Sequence, residues 1–188
     1  VAAMESAFML SNENKEPGQT VFSEQALLNC QRGGCRGGFP TEVWRGAQRR
    51  GVTLAANSAY VGHPEQCRNF PSKARPTSFC QNRRLRSDAD IIGVVYQFGP
   101  AAIAINGHAR SMKLLRGTWN NRDCSRHVDH VVTVVGFTED TFIMKNSWGK
   151  GFGKDGYLIL KRDNTNRCGI YTEIELPFFN GQDKGYNT

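Results

Sequence analysis

Four short apolar runs in the second half of the chain constrain its fold more than any other feature: AAIAIN (101–106), HVVTVVGF (130–137), TFIMKN (141–146) and GYLILKR (156–162). Each is rich in β-branched or bulky aliphatic residues and bounded by turn residues, and each is too short for a typical helix. That is the pattern of strands packed on a core. The first half reads differently. SEQALLNCQ opens on Ser23 as a helix cap and carries Ala26 and Leu27, with Cys30 behind them. PTEVWRGAQRRG puts Pro40 and Glu42 at a helix start, Val43, Trp44 and Ala47 on one face and Gly51 at the end. Between them lies QRGGCRGGF, a loop with four glycines in nine residues. Residues 57–86 hold Pro64, Pro71 and Pro76 without clear periodicity and read as loop. Ser87 and Asp90 form a capping pair for a helix over DADIIGVVYQF, closed by Gly99 and Pro100. Helices followed by strands, with no internal repeat, predict an α+β fold in two lobes, mainly helical over 1–85 and β-rich over 86–188.

The first ten residues, VAAMESAFML, are helix formers that are apolar on most faces, as in a buried helix. No cap or acidic first turn stands before them, and a buried helix start without a cap leaves N–H groups unsatisfied. The expectation is a chain that begins inside a helix, with a further piece upstream.

Lys and Arg total 24 against 17 Asp and Glu, a net charge of +7 and a pI near 9.3. The basic residues are scattered (Arg49-Arg50, Arg83-Arg84, Lys161-Arg162) rather than massed with aromatics, which speaks against a nucleic-acid-binding face. No apolar run is long enough for a membrane-spanning helix, and no N-x-S/T glycosylation sequon is present. The six cysteines, 30, 35, 67, 80, 124 and 168, include no C-x-x-C pair, and the four histidines have no ligand spacing. No metal site is therefore expected. A disulfide framework in a secreted or vesicular protein is the reading, with all fifteen pairings open at this level.

Five ordered segments change the argument: SEQALLNC with GGCRGGFP, AINGH, HVDHVVTVVGF, KNSWGKGFGKDGY and NRCGIYTEIELP. Together, from Val1 to about Pro177, they resemble the papain-like cysteine peptidases, and AINGH with the Asp129-His130 pair looks most like the cathepsin L branch. The resemblance implies a helical left lobe and an antiparallel, β-barrel-like right lobe with an active-site cleft between them. The family's nucleophile signature, C-G-[SA]-C-[WY], is absent from the sequence. It would fall roughly half a dozen residues before Val1, placing His130 and Asn146 about 135 and 150 residues beyond it, in keeping with family spacing. The chain as written thus lacks the nucleophile. Cys35 and Cys80 are poor substitutes, because neither begins a recognisable helix.

By resemblance His130 is the catalytic base and proton donor, with Asp129 before it and the Asn-Ser-Trp-Gly motif sixteen residues on. Asn146 orients the imidazole and Trp148 shields the pair from water. His63, His108 and His127 lack such partners and are expected at the surface. Gly37 and Gly38 match the segment whose backbone pairs with an extended substrate. Phe39, Pro40, Ala104 and Val131 match the lining of the pocket for the second substrate residue before the cleaved bond, and Asp129 is placed with this substrate-binding set. Glu173 matches the pocket floor, where a carboxylate would accept a basic residue; the alternative is an exposed acid on the last strand. The family pattern implies Cys30–Cys67 and Cys124–Cys168 disulfides. Cys35 would pair with a cysteine near the nucleophile, whereas Cys80 has no counterpart and is expected on the other lobe from Cys35. Phe152 stands where the family usually has Trp, in a packing position. The implied protein is a cofactor-free, monomeric endopeptidase acting on polypeptides. It would be held by an inhibitory propeptide and by cystatin-like inhibitors, in a lysosome, another vesicle or outside the cell. The competing reading is a non-catalytic homologue with its nucleophile replaced, serving as a binding or structural protein.

Overall fold

The computed structural model describes residues 1–11, 20–120 and 123–181. In chain order its helices and strands are α1 (Ala2–Leu10), α2 (Glu24–Asn29), α3 (Pro40–Arg50), β1 (Ser78–Asn82), α4 (Asp88–Phe98), β2 (Ala101–Ile105), α5 (Arg110–Lys113), β3 (Thr118–Trp119), β4 (His130–Phe137), β5 (Thr141–Lys145), β6 (Tyr157–Lys161) and β7 (Ile174–Phe178). The chain divides into two compact units, Val1–Cys80 with the segment from Pro177, and Gln81–Leu176. The sequence-based halves, 1–85 and 86–188, differ from these units chiefly at the C-terminus. There Phe179 returns to pack its ring edge-on against Phe8, 5.4 Å between centroids.

The first unit is helical. α1 buries Ala3, Met4, Ala7 and Phe8 while the equally apolar Met9 and Leu10 stay exposed, so this helix is apolar on most faces, as expected, but only half buried. Glu5 accepts the backbone N–H of Phe22 at 2.9 Å, and Phe22 packs on Phe8. Ser23 caps α2 by accepting from Ala26 N–H, and its own hydroxyl donates to Ser58 C=O at 2.7 Å. The aperiodic stretch beyond residue 57 is held mainly by one fully buried amide. Gln25 Nε2 donates to His63 C=O and Asn29 Oδ1, and its Oε1 accepts from Val61 N–H. The Cys30–Cys67 disulfide closes the same region. At the end of α3, where carbonyls are left without helical partners, Arg75 Nη1 donates to Gln48 C=O and Arg49 C=O at 2.6 and 2.5 Å.

The second unit is built on the sheet, in strand order β1-β7-β2-β4-β5-β6-β3. β2–β4, β2–β7, β4–β5 and β5–β6 are antiparallel; β3 is parallel to β6. With β1 and β3 at its edges the sheet is open and mainly antiparallel, in keeping with the α+β fold that the resemblance implies. Alternation fills the core: Ile103, Ile105, Val132, Val134, Phe142, Met144, Leu158 and Leu160 are buried. β1 lies inside the stretch expected to be loop. Its residues SFCQN are all half-buried, so no alternation of buried and exposed positions marks it. α4 starts with the expected capping box, Ser87 accepting from Asp90 N–H and Asp90 accepting from Ser87 N–H. Asp88, buried in its first turn, accepts from Tyr171 Oη at 2.8 Å and Asn164 N–H at 3.1 Å, tying the helix to the segment that precedes β7. Burial, reinforced by that carboxylate, holds the Tyr171 hydroxyl well above its ordinary pKa. Cys124–Cys168 is the second disulfide.

Candidate active site

Register assembles the site. β2 and β4 pair until Ile105 faces His130, the first residue of β4. β4 and β5 pair with Thr133 facing Lys145, so the residues just past β5 reach the same end of the sheet. Asn146 is anchored there by its N–H, which donates to Gly156 C=O at 3.1 Å. Its Oδ1 lies 2.9 Å from His130 Nε2 and also accepts from Ser147 N–H at 2.8 Å. The Ser147 donor identifies that atom as the oxygen. Nε2 must then carry the hydrogen, and in the neutral ring Nδ1 is the basic nitrogen. The Trp148 ring lies 5.0 Å from the imidazole at a 33° tilt, and Phe152 packs edge-on behind it at 4.9 Å. Phe152 is buried, whereas Trp148 remains 41% exposed, an open cover on the ring.

Asp129 does not reach the His130 ring; it serves the end of β2. Oδ1 accepts from Gly107 N–H at 2.7 Å, and Oδ2 lies 2.5 Å from His108 Nδ1 and 3.5 Å from Asn106 Nδ2. Burial pushes the Asp129 carboxyl up. The Gly107 hydrogen bond and the His108 ring outweigh it, and the carboxyl rests below the ordinary carboxylate value. His108 is at the surface as expected, but it has a partner, contrary to the sequence reading. Asn106, Gly107 and His108 are thus site-adjacent residues missed by sequence reasoning. The motif AINGH held them, without indicating which carboxylate they meet.

Three of the expected pocket residues meet within the second unit. Ala104 faces Val131 across β2 and β4, and its N–H donates to Glu173 C=O at 3.1 Å. Val131 is 40% exposed. Glu173 is buried, not an exposed acid, and its carboxylate is already engaged by Gln81 Nε2 and by Arg83, whose Nε lies at 3.4 Å. In the first unit Gly37 adopts φ 92°, a conformation side chains rarely allow, and Gly37 and Gly38 are both exposed. Phe39, 52% exposed, stands as the cap residue of α3, with Pro40 in its first turn. Cys35 is exposed, its thiol 3.9 Å from Gly62 C=O. Cys80 closes the same unit rather than lying on the other lobe, and the two are not joined to each other.

The profile described as Papain family cysteine protease matches residues 1–178. The chain belongs to the papain family. Papain of Carica papaya is 30% identical over 167 residues, covering 85% of this chain and 48% of papain. A cysteine protease of Carica candamarcensis, solved in complex with E-64, superposes with a TM-score of 0.85 at 30% identity, over 96% of this chain and 85% of that one. Digestive procathepsin L 3 of the Tenebrio molitor larval midgut gives 0.82 at 27% identity, over 94% of this chain and 60% of that one. The fold is papain-like, and the chain spans about half the length of papain and of two further curated relatives that it matches, from Entamoeba histolytica and Mus musculus. Both disulfides that the papain-family pattern implies, Cys30–Cys67 and Cys124–Cys168, are present. Among the described residues no helix is long and apolar enough to cross a membrane.

Proposed function

We propose that the polypeptide containing this chain is a cysteine endopeptidase, with His130 as general base and acid and Asn146 as the residue that orients it. The observation that carries the reading is the Asn146 Oδ1 contact. It commits Nε2 to its hydrogen and leaves Nδ1 to exchange a proton with a thiol. In this reading the thiol belongs to a cysteine N-terminal to Val1, in the family's nucleophile segment. Its proton passes to Nδ1, forming a thiolate–imidazolium pair. The sulfur then attacks the peptide carbonyl carbon, and Nδ1–H is delivered to the leaving amine as the C–N bond breaks. A water gives a proton back to Nδ1 as its oxygen attacks the thioester, and the thiol is restored on release of the acid. Asn146 holds the ring plane through both transfers, and Trp148 lowers water access to that hydrogen bond.

The substrate-binding part of the proposal places extended peptide backbone against Gly37 and Gly38. An apolar second residue before the cleaved bond would contact Phe39, Pro40, Ala104 and Val131, with Asp129 acting beneath the site. Glu173 already carries Arg83, which favours an apolar over a basic occupant. The procathepsin relative supports an inhibitory propeptide for this chain too, and cystatin-like inhibitors and a monomeric state follow from the same reading. Two disulfides accord with a lysosomal, vesicular or secreted setting. The test is to express the polypeptide with its upstream segment, mature it and treat it with E-64, which is bound in the Carica candamarcensis structure. A single adduct mapping upstream of Val1, together with hydrolysis of a Phe-Arg reporter lost in His130→Ala, is expected. A matured protein with neither adduct nor hydrolysis overturns the proposal and leaves the non-catalytic homologue.

A further inference from the structure

We infer that His108 is a positioning residue for His130, acting through Asp129; the inference deepens the reading of His130 as the base and rests on it. The β2–β4 ladder ends at Ile105 facing His130. Beyond that point no strand pairing holds the 106–108 segment beside the histidine. The Asp129 carboxylate takes over, collecting Gly107 N–H, the His108 ring and, at longer range, the Asn106 side chain on its two oxygens. A carboxylate accepts, so His108 Nδ1 carries a hydrogen toward it.

What this tie holds in place is the surface on which His130 rests. A methyl group built on Gly107 would come within 2.5 Å of His130 Cβ and 3.0 Å of Cγ, so the Gly107 backbone lies directly against the base of the imidazole. If the tie loosens, Gly107 recedes and the ring tilts, and the Nε2–Asn146 bond suffers. Gly107 N–H and Asn106 are backbone and buried anchors. His108, by contrast, is a 76% exposed side chain, and it makes the shortest of the three contacts. His127 adds positive charge near the same carboxylate and stays in place in every variant below.

The test uses the polypeptide with its upstream segment, its nucleophile thiol alkylated and its histidine rings 15N-labelled, and needs no peptidase activity. In the wild type His130 is expected as a single Nε2–H tautomer. In His108→Ala its two ring-nitrogen shifts should converge toward a tautomer mixture, with the backbone amide spectrum otherwise retained. His108→Asn, whose side-chain amide can occupy the place of Nδ1–H, should restore the single tautomer. Where the matured full-length enzyme is active, His108→Ala should lower kcat several-fold at unchanged KM. His130 shifts unaltered in His108→Ala overturn the inference. If that variant does not fold, unaltered shifts in Asp129→Asn overturn it instead. A silent full-length enzyme would sink the peptidase reading while the ring spectra still decide the role of His108.

Discussion

A methyl group added to Gly107 would stand 2.5 Å from His130 Cβ, closer than real carbon atoms approach, so one of the two must move. Gly107→Ala is therefore expected to cut kcat/KM of the matured enzyme by about 100-fold, the scale of an ångström-sized misplacement. It should also cost about 1–3 kcal/mol of stability through overpacking, read by urea unfolding. Arg83 gives a second prediction. It occupies the Glu173 carboxylate that the sequence offers to a basic substrate, so Arg83→Ala should raise hydrolysis of an Arg-Arg reporter relative to Phe-Arg. An unchanged ratio would remove Glu173 from the specificity pocket. At this scale His130 and Asn146 are legible because the sequence motif is local and their hydrogen bond follows from β-sheet register. Asp129 is not, for a simple geometric reason. Neighbours along an extended chain point to opposite sides, so the carboxylate before His130 cannot face its ring and turns to 106–108 instead.

α4 shows what local chemistry can specify. Ser87, Asp90, the apolar run and Gly99 predict Asp88–Phe98, which is the helix observed. Ser87→Ala should cost about 0.5–2 kcal/mol, seen as a lower urea midpoint at unchanged slope, since it removes one half of the capping box. β4 is equally legible, HVVTVVGF matching His130–Phe137, because its β-branched residues run long enough to outweigh other readings. β1 and β7 escape for opposite reasons. SFCQN is half-buried throughout, and IELPF is buried at all five positions, so neither alternates. β7 also contains Pro177, which ordinarily argues against a central strand. Both elements exist through their partners in the sheet, information that no window of sequence contains.

Across the whole molecule each disulfide staples its own unit, closing separations of 37 and 44 residues. Replacing Cys30 and Cys67 by serine should cost about 2–5 kcal/mol and speed amide exchange in the first unit, with the second protected as before. Acid acts on the second unit instead. Asp123, Asp129 and Asp163 all lie below the ordinary 3.8, through hydrogen bonds and, for the latter two, nearby positive charge that outweigh burial. Their contribution to stability is fully present above that value and is lost as pH falls through the lower folded values. Urea midpoints should therefore hold through mildly acidic conditions and drop below about pH 4, with Asp163→Asn flattening the decline.

The return of Phe178 and Phe179 to the unit that holds Phe8 and Phe22 has a consequence for biosynthesis. A ribosome releases the first helices long before the aromatic residues that complete their core, whereas everything from Gln81 to Leu176 emerges as one uninterrupted stretch. The sheet, however, needs β7, which pairs with β2 and ends at Phe178, so helices and sheet both close on the same late stretch of chain, and neither unit is finished until that stretch has emerged.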